Sequence, residues 1–360
     1  MKEIWNIRRE NSKSATISLN FTIKNVITSV LGTLSLFGIL PAVLYCCSDS
    51  PESPMPSPAW CETKVSLSHS SSELETMDVF VFNDDLFQKL DSYQRFENMK
   101  MWNGAVASGS GGRIMTVIAN SPHKKEHWYS LSSRSHLKSF SIRLEDEDIH
   151  KPVMFGECTF SPEDAGSTDH EVVLKPLSAE VMLQSISCDF TGRPYVGEQL
   201  HDVKVYLTNV SAETYLLEDE DSGPSRIINA GKLYEEDLEE FRCKELIFKE
   251  IKGSIGTRTQ FLDVRFRCYR NNRPEEGPGT PYTRLVIEGT IDGRTYYWPI
   301  DINRDTDIGE GTQAGHRYIY DIRITRKGSL DPDIPVRSED FVISKLVSEW
   351  KEKEEYEVLF

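Results

Sequence analysis

Several groups of residues in this chain have types that suit chemistry, and each meets an obstacle in its spacing. Seven cysteines stand at 46, 47, 61, 158, 188, 243 and 268, with no zinc-knuckle or Cys-x-x-Cys spacing beyond the adjacent pair. With Cys46 and Cys47 set aside an odd number remains, so disulfides are not the main support, although a bridge between Cys243 and Cys268 stays open. His123 and His127 lie four apart in HKKEH, but the His-Glu-x-x-His order is missing and two lysines there would repel a cation. Gly109-Ser110-Gly111-Gly112 lacks a Gly-Lys-Ser/Thr ending and leads into a strand pattern, so it suits a hairpin turn better than a phosphate cradle. Asp301 to Asp307 alternates oxygen-bearing residues as calcium loops do, yet Thr306 stands where a glycine is needed and Thr312 where a bidentate glutamate belongs. No Gly-x-Ser-x-Gly elbow occurs, and Asp146 and Asp148 fit loop charge better than an acid–base pair. Tyr296-Tyr297-Trp298 could stack a sugar, but alternation sends Tyr297 to the opposite face, and core packing is the simpler role. No catalytic residue, metal ligand or cofactor is expected, and the chain reads as a non-enzyme.

The elements around these residues are mostly strands. From Lys64 onward, short runs alternate with period two. Met77 to Phe82 ends in Asn83-Asp84-Asp85, and Arg113 to Ala119 ends in Asn120-Ser121-Pro122, both turn chemistry. Further strands are expected at 140–144, 153–160, 171–174, 179–186, 203–209, 262–269, 284–291, 294–300 and 318–325. Asp292-Gly293 supplies a two-residue hairpin turn. Short helices are expected only at 84–90 and 234–242. This spacing predicts an all-β chain of two tandem β-sandwiches, with a boundary near Pro176.

The chain has 360 residues and a formal charge of −16, from 41 Lys+Arg against 57 Asp+Glu. That acidity argues against nucleic acid as a partner. Residues 25–45 carry no charge and follow a 24-residue segment containing Lys2, Arg8, Arg9, Lys13 and Lys24, which suits a secretory signal. A membrane-spanning helix is the alternative, weakened by Pro41 and several Gly, Ser and Thr. Cys46-Cys47-Ser48-Asp49 and the Pro-rich SPESPMPSP follow. The pattern resembles a bacterial lipoprotein signal, with Cys47 the better lipidation site because Cys46 before it is small, whereas Tyr45 before Cys46 is not. Residues 1–46 then form the signal, 47–61 a flexible spacer, 62–176 the N-terminal sandwich and 177–360 the C-terminal one.

The order of strands and motifs from 64 to 360 resembles the fimbrillin family of Bacteroidales, the subunits of type V pili. The matching stretches are Asp78 to Asn83, Ile114 to Asn120, Leu174 to Ala179, Val205 to Val210, Ile228 to Gly231, Thr283 to Gly289, Tyr296 to Ile300, Tyr320 to Thr325, Leu330 to Val336, and Val347 to Trp350. The resemblance implies two transthyretin-like sandwiches, outer-membrane lipoprotein export, a place in a cell-surface fimbrium and polymerisation by donor-strand exchange with like or unlike fimbrial subunits. A surface adhesin or tip subunit holding a glycan or protein ligand of a host or bacterial surface is the alternative. Physically, donor-strand exchange is β-augmentation. Phe341, Ile343, Val347, Trp350, Tyr356, Val358 and Phe360 are the donor-strand candidates, and burying four such side chains contributes about 6–12 kcal/mol before ordering costs. Completion of the chain's own sheet is the competing role for this segment. The resemblance departs at His316-Arg317, where the family usually carries Asn. It departs again where the family's stalk subunits are cut after an Arg: none occurs between Cys47 and Gln94. Lys64 is the residue there that a trypsin-like protease could use.

Overall fold

A computed structural model describes residues 16–17, 63–67, 74–97, 111–161, 170–217, 226–273, 275–277, 279–304, 311–334 and 341–349, with the first two segments and the last as strand backbone. The first strands are β1 (Thr16–Ile17), β2 (Thr63–Leu67), β3 (Thr76–Asn83), β4 (Leu90–Glu97), β5 (Arg113–Ala119), β6 (Ser141–Arg143), β7 (Met154–Phe160) and β8 (His170–Pro176). They are followed by β9 (Ala179–Cys188), β10 (His201–Thr208), β11 (Val210–Ser211), β12 (Glu213–Tyr215), β13 (Ile227–Ile228) and β14 (Phe248–Glu250). The last are β15 (Gln260–Cys268), β16 (Arg284–Ile291), β17 (Arg294–Asp301), β18 (His316–Ile324) and β19 (Phe341–Glu349). One short helix, α1 (Glu235–Glu239), and several 3₁₀ turns accompany them. The fold is all-β.

The N-terminal sheet has the order β1-β2-β8-β7-β5-β3-β4. Its central strands are covered on both faces, which makes β3 and β5 near-continuous apolar runs, where alternation alone predicts half-buried strands. Met77, Val79, Val81, Met115, Val117 and Ala119 supply one face, joined by Val172 and Leu174 of β8. Phe80, Phe82, Ile114 and Ile118 supply the other, against Trp128, Leu137 and Phe140. Asp78 also lies on this second face, fully buried, accepting hydrogen bonds from Tyr93 Oη (2.7 Å) and Arg95 Nη1 (3.0 Å). Burial raises its pKa despite both partners. β8 reaches its place over β7 because position 156 is glycine: a Cβ there would stand 2.6 Å from the Val173 carbonyl oxygen.

Residues 84–90 are not the expected helix. The Asp85 carboxylate accepts the Phe87 and Gln88 N–H groups at 2.9 and 2.8 Å, an Asx turn that offers the backbone an alternative to helix, and the chain turns directly into β4. The helix expected at 234–242 is shorter, being confined to α1.

The C-terminal strands form two four-stranded sheets, β14-β10-β16-β17 and β15-β9-β18-β19. Val181, Leu183, Phe266, Tyr318 and Ile322 of one meet Val205, Leu207, Leu285, Ile287 and Trp298 of the other in a single cluster. The β16–β17 hairpin turns at Asp292 and Gly293, both at positive φ (52° and 72°), as its two-residue turn requires. The division expected at 176/177 falls between β8 and β9, and the main hydrophobic cluster extends across it.

Candidate assembly site

β18 is built to be paired on both sides. Tyr318, Tyr320, Ile322 and Ile324 are buried, while Ile319, Asp321 and Arg323 between them are more exposed. β9 runs parallel along one edge of β18, and β19 antiparallel along the other, at the margin of the sheet. The register sets Phe341 opposite Ile324, Ile343 opposite Ile322 and Val347 opposite Tyr318. Three donor-strand candidates therefore stand at register positions facing buried residues of the chain's own β18. Trp350, Tyr356, Val358 and Phe360 lie outside the described residues.

The segment between β18 and β19 leaves this sheet and is fastened to the other. Trp298 Nε1 donates to the Arg326 carbonyl at 3.1 Å, and Tyr297 and Ser329 exchange backbone hydrogen bonds at 2.9 and 2.8 Å. Gly328 must be glycine, because a Cβ would lie 2.1 Å from the Tyr297 carbonyl oxygen. The fastening ends at Asp333, which pairs with Arg284 Nη1 and accepts from Asn209 Nδ2 (3.3 Å).

Arg284, at the start of β16 and only 2% exposed, holds three carboxylates: Asp333, Asp301 (2.7 Å) and Glu276 (2.7 Å). Burial alone would lower the guanidinium pKa, but the three acids outweigh it and raise it. Asp301 is itself raised by burial. Asn209 and Asn229 adopt φ of 54° and 51°, a region asparagine tolerates. From there Asn209 Oδ1 accepts the Gly231 N–H at 2.7 Å, and Asn229 Nδ2 donates to the Leu207 carbonyl at 3.1 Å. A Cβ on Gly231 would stand 3.4 Å from the Asp333 carboxyl. Arg284, Asn209 and Gly231 thus form one cradle for Asp333, and all four lie in the stretches that carry the family resemblance. No sequence motif assigns these stretches this job. The available signal was an arginine opening an otherwise apolar strand, Thr283-Arg284-Leu285-Val286-Ile287.

At the other end of the chain, β2 pairs in parallel with β8, with Lys64 opposite Glu171, and β1 adds antiparallel to β2. Lys64 is the second residue of that strand. Cys46, Cys47 and the apolar segment 25–45 lie outside the described residues.

The two halves of the chain are joined by buried polar groups. Tyr269 Oη donates to Glu147 (2.6 Å) and Arg267 donates to the Ile149 carbonyl (2.7 Å), while within the C-terminal half Glu180 receives Arg317 and, at 3.8 Å, Arg267. Gly109, Ser110 and Asp305 to Asp307 lie outside the described residues, and the remaining sequence candidates pack or pair. His123 and His127 stack with centroids 3.9 Å apart, edged by Trp128, and His123 Nε2 lies 2.9 Å from the Ser141 carbonyl. Burial lowers the His123 pKa. Tyr296 and Trp298 are buried and Tyr297 between them is less so. Cys243 and Cys268 are free thiols, with Cys268 pushed up to about 12 by burial. Among the described residues no group of three or more His, Cys, Asp or Glu could hold a metal ion.

No family model and no curated protein matches the chain. Solved structures do. A candidate cell adhesion protein from Bacteroides eggerthii is 15% identical, with a TM-score of 0.58 over 82% of this chain and 92% of that one. A candidate cell adhesion protein from Parabacteroides distasonis is 13% identical, with a TM-score of 0.57 over 79% and 91%. A fimbrilin from Porphyromonas gingivalis is 13% identical, with a TM-score of 0.54 over 79% and 93%. The chain shares their fold along most of its length.

Proposed function

We propose that this fold serves as a fimbrillin-type subunit of an adhesive bacterial surface fimbrium, polymerised by donor-strand exchange. The observation that carries this reading is β19: a marginal strand, rooted at Asp333, whose register sets Phe341, Ile343 and Val347 opposite buried positions of β18. A strand that completes its own sheet in one copy can complete the equivalent edge of another, the main chain giving affinity and alternate positions giving specificity. Each apolar side chain so seated contributes about 1.5–3 kcal/mol. The solved relatives described in terms of cell adhesion and the fimbrilin support a fibre that adheres.

In this reading residues 1–46 direct export, Cys47 (or, less favourably, Cys46) carries the lipid that holds the subunit at the outer membrane, and 47–61 is a spacer. Residues 62–176 and 177–360 are the two sandwiches. Lys64 is the maturation point: cutting after it splits β2, leaving Val65 to Leu67 with a weaker hold on β8, which opens an acceptor edge in the N-terminal sandwich.

The test is removal of residues 335–360 from the full chain. Denaturation-resistant ladders of polymer are expected from the intact chain and not from the truncated one. A synthetic peptide spanning 339–351 is expected to bind matured subunits and block elongation. Ladders unchanged by the truncation would refute strand donation by this segment.

A further inference from the structure

The loop between β3 and β4 presents two large apolar side chains to solvent, with Leu86 91% exposed and Phe87 68%. Slack chain is not the reason. The Asp85 carboxylate caps the Phe87 and Gln88 N–H groups, and Gln88 takes a φ of 45°. The Asp84 N–H donates to the Gly112 carbonyl at 2.9 Å, and the Gln88 carbonyl accepts from Arg134 N at 2.9 Å. The loop is therefore held at both ends as a knob, with Asp84 and Asp85 exposed beside the apolar pair and Lys89 Nζ lying 5.9 Å from the Phe87 ring centroid.

A socket of matching chemistry lies elsewhere on the same chain. Phe261, 80% exposed, borders an open cavity of about 690 Å³ together with Gln199, Thr257, Arg258 and Thr259. Arg258 is the one charged residue lining it. The socket offers an aromatic face, amide and hydroxyl groups, and a single positive charge. The knob offers Leu, Phe and two carboxylates.

Strand registers put the two features at ends remote from the join between the halves. β3 starts beside Ala119 and Met154, next to the join, and reaches the knob after Asn83. β15 sets Cys268 against Ala179 at the join and Gln260 against Ile186 at its far end, where the socket begins. With eight residues in β3 and nine in β15, at ~3.3 Å per residue, each feature lies about 25 Å along its strand from the join. Two different, complementary patches at separate ends of one chain can meet in a heterologous contact. Repeated head to tail they give an open filament.

We infer that the Asp84–Gln88 knob of one copy seats in the Phe261–Arg258 socket of the next, as an axial contact separate from strand donation. Leu86 and Phe87 cover the Phe261 ring, and Asp84 and Asp85 face Arg258. This rests on the fibre reading above, and it assigns that fibre a second, non-covalent contact that orients successive subunits. An exposed apolar pair on a fixed loop, otherwise an aggregation liability, then has a partner.

The test uses the full chain in an exporting bacterial host, with p-benzoylphenylalanine replacing Phe87 and irradiation of fibres at the cell surface. Mass spectrometry is expected to find the probe joined to residues 254–261 of a second copy. In parallel, Asp84→Lys and Arg258→Asp are each expected to lower sheared fibre mass at least threefold, and the two together to restore it to within twofold, with thermal midpoints of the isolated subunits unchanged. Fibres that form normally but cross-link elsewhere overturn the contact and leave the fibre reading standing. Protection of the socket from chemical modification by a soluble pyranose, with no copy-to-copy cross-link in intact fibres, overturns it in favour of a glycan site. No polymer from the unsubstituted chain overturns the fibre reading and this contact with it.

Discussion

Glu147 is fully buried, and burial pushes its carboxyl up to about 7 against the opposing pull of Arg267 and the Tyr269 hydroxyl. A carboxyl whose folded pKa exceeds its unfolded value binds more protons in the native state across the interval between the two. Its contribution to stability therefore falls as pH rises from about 4.5 to about 7. Glu147→Gln keeps an acceptor for Tyr269 and removes the ionisation. It is expected to match the parent near pH 4 and to exceed it by roughly 3 kcal/mol at pH 8, read by urea unfolding at both values. Arg284 works in the opposite sense, because its removal leaves three carboxylates facing one another. Arg284→Ala is expected to cost about 3 kcal/mol or more. Asp333→Asn, at a half-exposed partner, should cost about 1 kcal/mol. If Asp333 roots the C-terminal segment, limited proteolysis of the Asp333→Asn variant will cut between 326 and 340 faster than in the parent, while other sites keep their rates.

Among the elements, β8 and the link to β19 depend most on single residues. Gly156→Ala puts a methyl group 2.6 Å from the Val173 carbonyl oxygen, and backbone cannot yield as a side chain tip can. The expected result is loss of β8 from its place over β7, seen as a drop in thermal midpoint and new cleavage near 170–176. Gly253→Ala is the control, with φ +85° and open space around it, and should cost only about 1 kcal/mol. The strands themselves were legible: 113–119 and 284–291 have the bounds their apolar runs predict, because turn residues close both ends. β4 was not legible. Leu90–Glu97 carries only three large apolar side chains, Leu90, Tyr93 and Phe96, and forms because β3 offers it an edge and Asp78 waits for Tyr93 and Arg95. The helix expected at 84–90 failed because Asp85 captured two backbone donors. The Asp333 cradle was hidden for another reason: its members are distant in sequence, and Arg284 meets Asp333 49 residues on.

At the scale of the molecule, the buried cluster that contains Trp128 also contains Trp298, so the two halves share apolar contacts as well as the polar join at Glu147, Tyr269 and Arg267. One cooperative transition is expected. With single-tryptophan reporters at 128 and 298, the fluorescence midpoints in urea should coincide; separated midpoints would mean that the join adds little to either half. The sequence could place strands on either side of residue 176, but the shared cluster arises from side chains that only the folded chain brings together. The parallel pairing of β9 with β18 has a further consequence. Glu180 meets Arg317 across 137 residues of chain, so the strand at the middle of its sheet can dock only after a long loop has closed. Such topologies fold slowly. A newly made chain would therefore spend its early life with the edge of β9 uncovered, and the time until that edge is buried, rather than final stability, would set how much of it survives intact.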